Sequence, residues 1–74
     1  MRKRMLEVKA ELTRRDWKYR TLAARLRERG FDADGGDIVR LVAGRWNPPE
    51  EMRLAISDIL NRPTFELFAP GGKS

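Results

Sequence analysis

The 74-residue chain contains no cysteine and no histidine. Without cysteine, neither a disulfide nor a thiolate zinc site can form. Without histidine, the chain lacks the commonest general base and the commonest metal ligand, and its hydroxyl groups have no imidazole to activate them. We therefore expect a protein that is not an enzyme, with no catalytic residues, no cofactor and no metal.

Long apolar runs are also missing, because the longest stretches without a charge extend over only a few residues. A helix that spans a bilayer needs about 20 predominantly apolar residues. The opening segment 1–6 resembles the start of a signal peptide, but charges follow where its apolar region would lie, at Glu7, Lys9 and Glu11. We therefore expect a cytoplasmic protein with no membrane partner.

Charge is plentiful but unevenly distributed, with 16 basic and 11 acidic residues and a net charge of +5. Residues 1–29 hold eleven basic and four acidic side chains, a net of +7, and residues 30–74 hold five and seven, a net of −2. A basic half of this kind is typical of a face that binds a polyanion. The alternative is an ordinary solvated helical surface.

Three kinds of break divide the chain into four predicted helices and one further turn: glycines, prolines and, at Asp16-Trp17-Lys18, a loss of the apolar period. Between these breaks, apolar residues recur at intervals of three and four, as in helices that bury one face. The predicted helices span about residues 3–15, 19–29, 34–44 and 48–60, and the turn spans 64–68. We expect an all-α fold of four to five short helices in a single domain, 1–70, with a disordered tail over 71–74.

Residues that favour helix starts support two of these boundaries. Asp34 is placed to cap the third helix. Asn47 is a suitable N-cap for the fourth helix, because Pro48 fits the first helical position and Glu50 can complete a capping box. We therefore predict that the fourth helix begins directly after Asn47.

The ends of the helices and the core follow from the same patterns. Gly30 suits a left-handed cap after the second helix, and Asn61 can close the fourth. Phe31 is expected to anchor the next turn in the core, and Phe65 and Phe68 to lie on the core. The predicted inward residues are Met5, Val8, Leu12, Leu22, Ala23, Leu26, Ile38, Leu41, Val42, Met52, Ala55, Ile56 and Ile59.

Three segments together resemble a known family. The segment 17–26, with Leu22-Ala23 followed by Leu26, resembles the start of helix-turn-helix domains of the lambda-repressor/Cro type. Segment 38–45 resembles their recognition helix, which commonly ends in glycine before a basic residue. The segments 47–60 and 63–68 are similar to their closing helices, and 46–70 also resembles small phage regulators of the Ner type.

The chain departs from this family pattern in two places. The glycine expected about four residues after Ala23 falls on Arg27, whereas this chain has Gly30, so the second helix and the turn are both extended. The surface of the third helix also differs, because family members carry polar side chains there. Here it offers Gly35, Gly36, Asp37, Val39, Arg40 and Ala43.

The resemblance implies a sequence-selective regulator of transcription, such as a repressor, that binds double-stranded DNA with its third helix, about 34–44, in the major groove. It places the binding surface on Lys18, Tyr19, Arg20, Gly35, Gly36, Asp37, Arg40 and Arg45. Lys18, Arg20 and Arg45 would contact phosphates, and Arg40 would read a guanine. Asp37 would accept from cytosine or cap the helix, and Tyr19 would contact phosphate or join the core.

A domain this small reads few base pairs, so a homodimer on half-sites about one helical turn apart is expected. The alternative is a protein-interaction module, such as an antitoxin or adaptor, that uses the same helices without reading bases. Binding of RNA by the basic face is a further alternative, but the sequence shows no aromatic platform for it.

Overall fold

The computed structural model describes residues 6–68, with the side chain of Leu6 excepted, and confirms the all-α expectation. Within that range it contains five helices and no strand: α1 (Leu6–Arg14), α2 (Tyr19–Glu28), α3 (Gly35–Val42), α4 (Glu50–Leu60) and α5 (Thr64–Leu67). None of these helices has the length and apolar character needed to span a membrane. The predicted inward residue Met5 and the predicted tail lie outside the described residues.

One hydrophobic core joins all five helices. Its buried members are Val8, Leu12, Leu22, Ala23, Leu26, Ala33, Ile38, Leu41, Val42, Met52, Ala55, Ile56, Leu60 and Leu67. The predicted inner faces of α2 and α3 are therefore confirmed. On α4 the predicted Ile59 is only half-buried, and Leu60, its neighbour, fills the core in its place.

Helices α2 and α3 form the most extensive helix pair in the described part of the chain. Ala23 is fully buried in α2, and its small side chain lets another helix approach closely. The α2 helix ends where glycine predicts, because Gly30 has a φ of +94°. The Gly30 N–H donates to the Arg27 carbonyl at 3.0 Å and the Phe31 N–H to the Leu26 carbonyl at 3.1 Å, which together form a Schellman motif.

A reciprocal capping box starts α3. The Asp37 N–H donates to Asp34 Oδ1 at 2.9 Å, and the Asp34 N–H donates to Asp37 Oδ2 at 3.1 Å. A second Schellman motif ends the helix, with Gly44 at a φ of +78° and the Arg45 N–H donating to the Arg40 carbonyl at 2.8 Å. The capping role of Asp34 is confirmed.

The two predictions for aromatic anchors need correction. Phe31 is only half-buried at the edge of the core, and Ala33 is the buried residue of this turn, with 2% of its surface exposed. The short Ala33 side chain points inward, and Arg27 donates to its carbonyl at 2.7 Å. Phe65 is 71% exposed, because Leu67 takes the core position offered by α5, while Phe68 packs partly against the core.

The prediction that Asn47 caps α4 is wrong. The N-cap is Pro49, no side chain caps this helix, and Glu50 is its first residue. Pro48 lies fully buried, which carries the chain into the core before the helix begins. The Arg53 guanidinium donates to the Pro48 carbonyl at 2.7 Å and to Asn47 Oδ1 at 3.3 Å. Asn61 closes α4 in a left-handed conformation, as expected, with a φ of +56°.

Candidate nucleic-acid interface

The N-terminal ends of α2 and α3 meet at one point of the surface. A Cβ atom added to Gly35 would lie 3.6 Å from the backbone N, Cα and Cβ of Arg20. This contact brings the start of α2, with Lys18 and Tyr19, beside the first turn of α3. Because the N-terminus of a helix carries a partial positive charge, the start of α2, which has no side-chain cap, favours an anion, whereas the carboxylates of Asp34 and Asp37 already lie at the start of α3.

Three of the predicted cationic residues have no carboxylate partner among residues 7–68. Lys18, Arg20 and Arg45 are exposed, and none of them forms an ion pair in this part of the chain. Lys18 and Arg20 lie together at the start of α2. Arg45 follows the glycine that ends α3, so the eight residues of α3 separate it from the other two by about 12 Å along the helix axis.

Arg40 differs from these residues because Asp37 pairs with it across one turn of α3. The side chain is still 55% exposed. Its guanidinium folds back over the first turn, where Nη1 would lie 3.8 Å from a Cβ added to Gly36. The spacing of three residues places both side chains on the same face of a helix, so the sequence contained the signal for this pair.

The Asp37 carboxylate is already engaged on both oxygens. One accepts from the Asp34 N–H and the other accepts from Arg40. Of its two predicted roles, the structure therefore shows the cap. Val39, on the same helix, exposes 48% of its surface and adds an apolar side chain to this face.

Tyr19 lies half-buried and packs against the core. It also forms one wall of an open cleft of about 300 Å³ between α1 and the start of α2. The cleft is lined by Lys9, Leu12, Thr13, Trp17, Lys18 and Tyr19. Sequence reasoning did not identify this cleft, because five of its six lining residues belong to the predicted first helix or to the break at residues 16–18 that follows it.

A second group of arginines, on the side of α1 and α5, is bound to carboxylates. Glu11 is 6% exposed and accepts hydrogen bonds from Arg14 and Arg62. Arg15 lies 3.5 Å from the same carboxylate and donates to the Leu60 carbonyl at 2.6 Å. This cluster ties α1 to the segment between α4 and α5, so its arginines serve the fold.

The charge state of Glu11 reflects these partners. Burial alone raises its pKa, but the hydrogen bond from Arg62 and the charges of Arg14 and Arg62 outweigh that effect and hold the pKa below its ordinary value. Arg62 also binds Glu66, at 2.7 Å from Nε to Oε1. The carboxylate is therefore ionised at neutral pH, which its role as an acceptor requires.

The far end of α2 also carries compensated charges. Arg29 lies 2.7 Å from Asp58, and Arg25 lies 3.6 Å from Glu28. Arg15 and Arg25 both stack on Trp17, with each guanidinium carbon 5.5 Å from the ring centroid. Among residues 7–68, five exposed cations have no carboxylate partner: Lys9 on α1, Lys18 and Arg20 at the start of α2, Arg27 near its end, and Arg45 past the end of α3. Of these, Arg27 donates to the Ala33 carbonyl.

Among the described residues, no group of carboxylates is arranged to hold a metal ion. Comparison of the chain with protein-family models, with curated proteins and with solved structures finds no match.

Proposed function

We propose that this chain is a cytoplasmic, non-enzymatic regulator that binds double-stranded DNA selectively, with α3 in the major groove. The observation that carries the proposal is the packing of Gly35 against Arg20, which places the cations at the start of α2 beside the first turn of α3. The resemblance of segments 17–26 and 38–45 to helix-turn-helix domains supports the same arrangement. Neither the packing of Gly35 against Arg20 nor the resemblance depends on the net charge of the whole chain.

Phosphate contacts position the domain in this proposal. Lys18 and Arg20 bind the backbone beside one end of α3, and Arg45 binds it beside the other end. All three are exposed and none is neutralised by a carboxylate of the described chain, so DNA phosphates have no internal competitor for them. Such contacts carry no sequence information, because every nucleotide has the same phosphate.

Arg40 reads a base in this proposal. An arginine side chain has five N–H donors in a planar fork, so the pairing with Asp37 leaves donors for the O6 and N7 of a guanine. Asp37 also fixes the direction of the guanidinium, which lowers the entropy lost on binding. Gly36, with no side chain, leaves room for the Arg40 guanidinium over the first turn of α3.

A homodimer completes the proposal, because the exposed face of an eight-residue helix reaches only a few base pairs. Two copies would place their α3 helices in successive major grooves, on half-sites about 34–36 Å apart.

Selection from a pool of random duplexes tests sequence selectivity. We expect Arg40→Gln to weaken binding to the selected duplex by about 10- to 100-fold, while binding to a random duplex changes little. The matched variant Arg20→Gln should weaken binding to both duplexes by the same factor. Fluorescence anisotropy at fixed salt measures both. Equal behaviour of the two variants would show that Arg40 does not read a base.

The second candidate function is a protein-interaction module, and one observation favours it. The exposed face of α3 combines the apolar Val39 with an arginine that is already paired, and Asp34 and Asp37 make its first turn acidic. Such a surface can dock on another protein. If no duplex is enriched by the selection and Val39→Glu abolishes capture of a protein partner, the second function replaces the first.

A further inference from the structure

We propose that the cleft between α1 and the start of α2 binds a small aromatic carboxylate. The cleft has a volume of about 300 Å³, at the lower end of the range for small-molecule sites. Its six lining residues provide an apolar floor, two aromatic walls and two ammonium groups. The site itself does not depend on DNA binding by this chain.

The apolar part of the cleft is built into the fold. Leu12 forms part of the core with 2% of its surface exposed, and Trp17 and Tyr19 pack partly against that core. The backbone N–H of Trp17 donates to the Leu12 carbonyl at 2.8 Å, which fixes the chain between α1 and α2. Since two half-buried aromatic side chains line one cleft, a planar aromatic ligand can pack against them.

The charged side chains that line the cleft are both cationic. Lys9 and Lys18 are exposed at its rim, and no carboxylate is among the six lining residues. Neither lysine forms an ion pair within residues 7–68. The α2 helix also begins without a side-chain cap, which leaves the positive end of its dipole beside the cleft. These charges select an anion.

A second groove, which also includes Trp17 in its lining, differs from the cleft in its charges. It has a similar volume of about 340 Å³ and is lined by Arg15, Arg25 and Arg29, but also by Glu28 and Asp58. An anion entering that groove would have to displace a carboxylate from Arg25 or Arg29. The cleft beside Lys9 holds no such competitor, so an anion binds there without breaking an internal ion pair.

Binding in the cleft has a consequence for DNA that rests on the proposed function. Lys18 belongs both to the cleft and to the proposed phosphate contacts. A carboxylate that engages the Lys18 ammonium withdraws it from the DNA backbone and places a negative charge beside the start of α2. The ligand would therefore weaken DNA binding and act as an effector.

Titration with 2-naphthoate, followed by two-dimensional NMR, tests the site in the absence of DNA. We expect saturable shifts of the Trp17 indole N–H and of the Lys18 and Tyr19 amides, with a dissociation constant on the order of 1 mM. Lys9→Gln and Lys18→Gln should each weaken binding by about two- to fivefold, as expected for exposed ion pairs. The matched control Arg45→Gln makes the same change of charge outside the cleft. It should leave the affinity for 2-naphthoate unchanged.

Three results would overturn the site. Equal binding of the neutral 2-naphthamide would show that the cleft does not select an anion. The same shifts with inorganic phosphate would show a simple anion site, of the kind a DNA phosphate could fill. The absence of a saturable shift would show that the cleft binds no naphthoate.

A separate titration of a random duplex tests the effector role. Naphthoate should weaken DNA binding by wild type but not by Lys18→Gln. If wild type binds the duplex equally with and without naphthoate, the effector role is overturned and the site remains. If the duplex does not bind at all, the proposed function fails instead.

Discussion

The side of the molecule formed by α1 and α5 and the side formed by the starts of α2 and α3 use the same residue types in opposite ways. On the first side, the buried Glu11 forms ion pairs with Arg14 and Arg62. On the second, Lys18 and Arg20 remain exposed without a carboxylate partner in the described chain. An arginine count alone therefore does not locate a binding surface. The pairing state of each cation separates those that hold the fold together from those available to a ligand.

Removal of the Glu11 charge should give the largest effect on stability. Glu11→Gln replaces the charged carboxylate shared by Arg14 and Arg62 with a neutral amide, which keeps one acceptor oxygen but faces the two guanidinium groups without a charge. We expect a loss of about 2–3 kcal/mol in the free energy of unfolding. Urea denaturation measures it. Glu28→Gln is the control, because its ion pair with Arg25 is exposed and contributes at most about 0.5 kcal/mol. Equal losses in the two variants would remove the distinction between the two sides.

The same contrast predicts the response to acid. Because the pKa of Glu11 is lower in the folded protein than its ordinary value of 4.5, protonation favours the unfolded chain. The stabilisation is fully present above the ordinary value and is lost as the pH falls through the lowered folded-state pKa. Thermal unfolding between neutral pH and about pH 3 should show this loss in wild type. A Glu11→Gln variant with the same acid dependence as wild type would assign the loss to other groups.

A smaller effect should appear at the acidic first turn of α3. Asp34→Asn keeps an oxygen that can cap the helix, since asparagine is as good an N-cap as aspartate, but removes a negative charge beside Gly36. We expect unchanged stability and a gain of about two- to threefold in affinity for duplex DNA at low salt, measured by anisotropy. Asp34→Ala, which also removes the cap, should lose about 1 kcal/mol of stability. A loss of DNA affinity in Asp34→Asn would place this turn outside the interface.

The features that sequence reasoning predicted correctly depend on local chemistry. Gly30 ends α2 because few other residues adopt its positive φ, and Asp34 caps α3 because the N–H it binds is three residues away. The pair of Asp37 and Arg40 was not predicted, although its spacing of three residues on one helix face is an equally local signal.

The features that it missed depend on contacts between distant segments. Asn47 does not cap α4, because burial of Pro48 in the core delays the start of the helix to Glu50. The hydrogen bond between Arg62 and Glu11 joins residues 51 positions apart, which no local pattern reveals. In the turn after α2, only one residue is fully buried in the core. It is Ala33 and not the larger Phe31, because the path of the backbone points the Ala33 side chain inward.

The salt dependence of DNA binding tests the central claim most directly, with two double variants of α2 that remove the same charge. Lys18→Gln with Arg20→Gln removes cations at the start of the helix, and Arg25→Gln with Arg29→Gln removes paired cations near its end. On a random duplex, the slope of log affinity against log salt should fall in magnitude by roughly 1.8 for the first double variant, at 0.9 per phosphate contact. The slope of the second should equal that of wild type. Equal reductions in both would show that binding follows net charge alone, and would contradict an interface at the starts of α2 and α3.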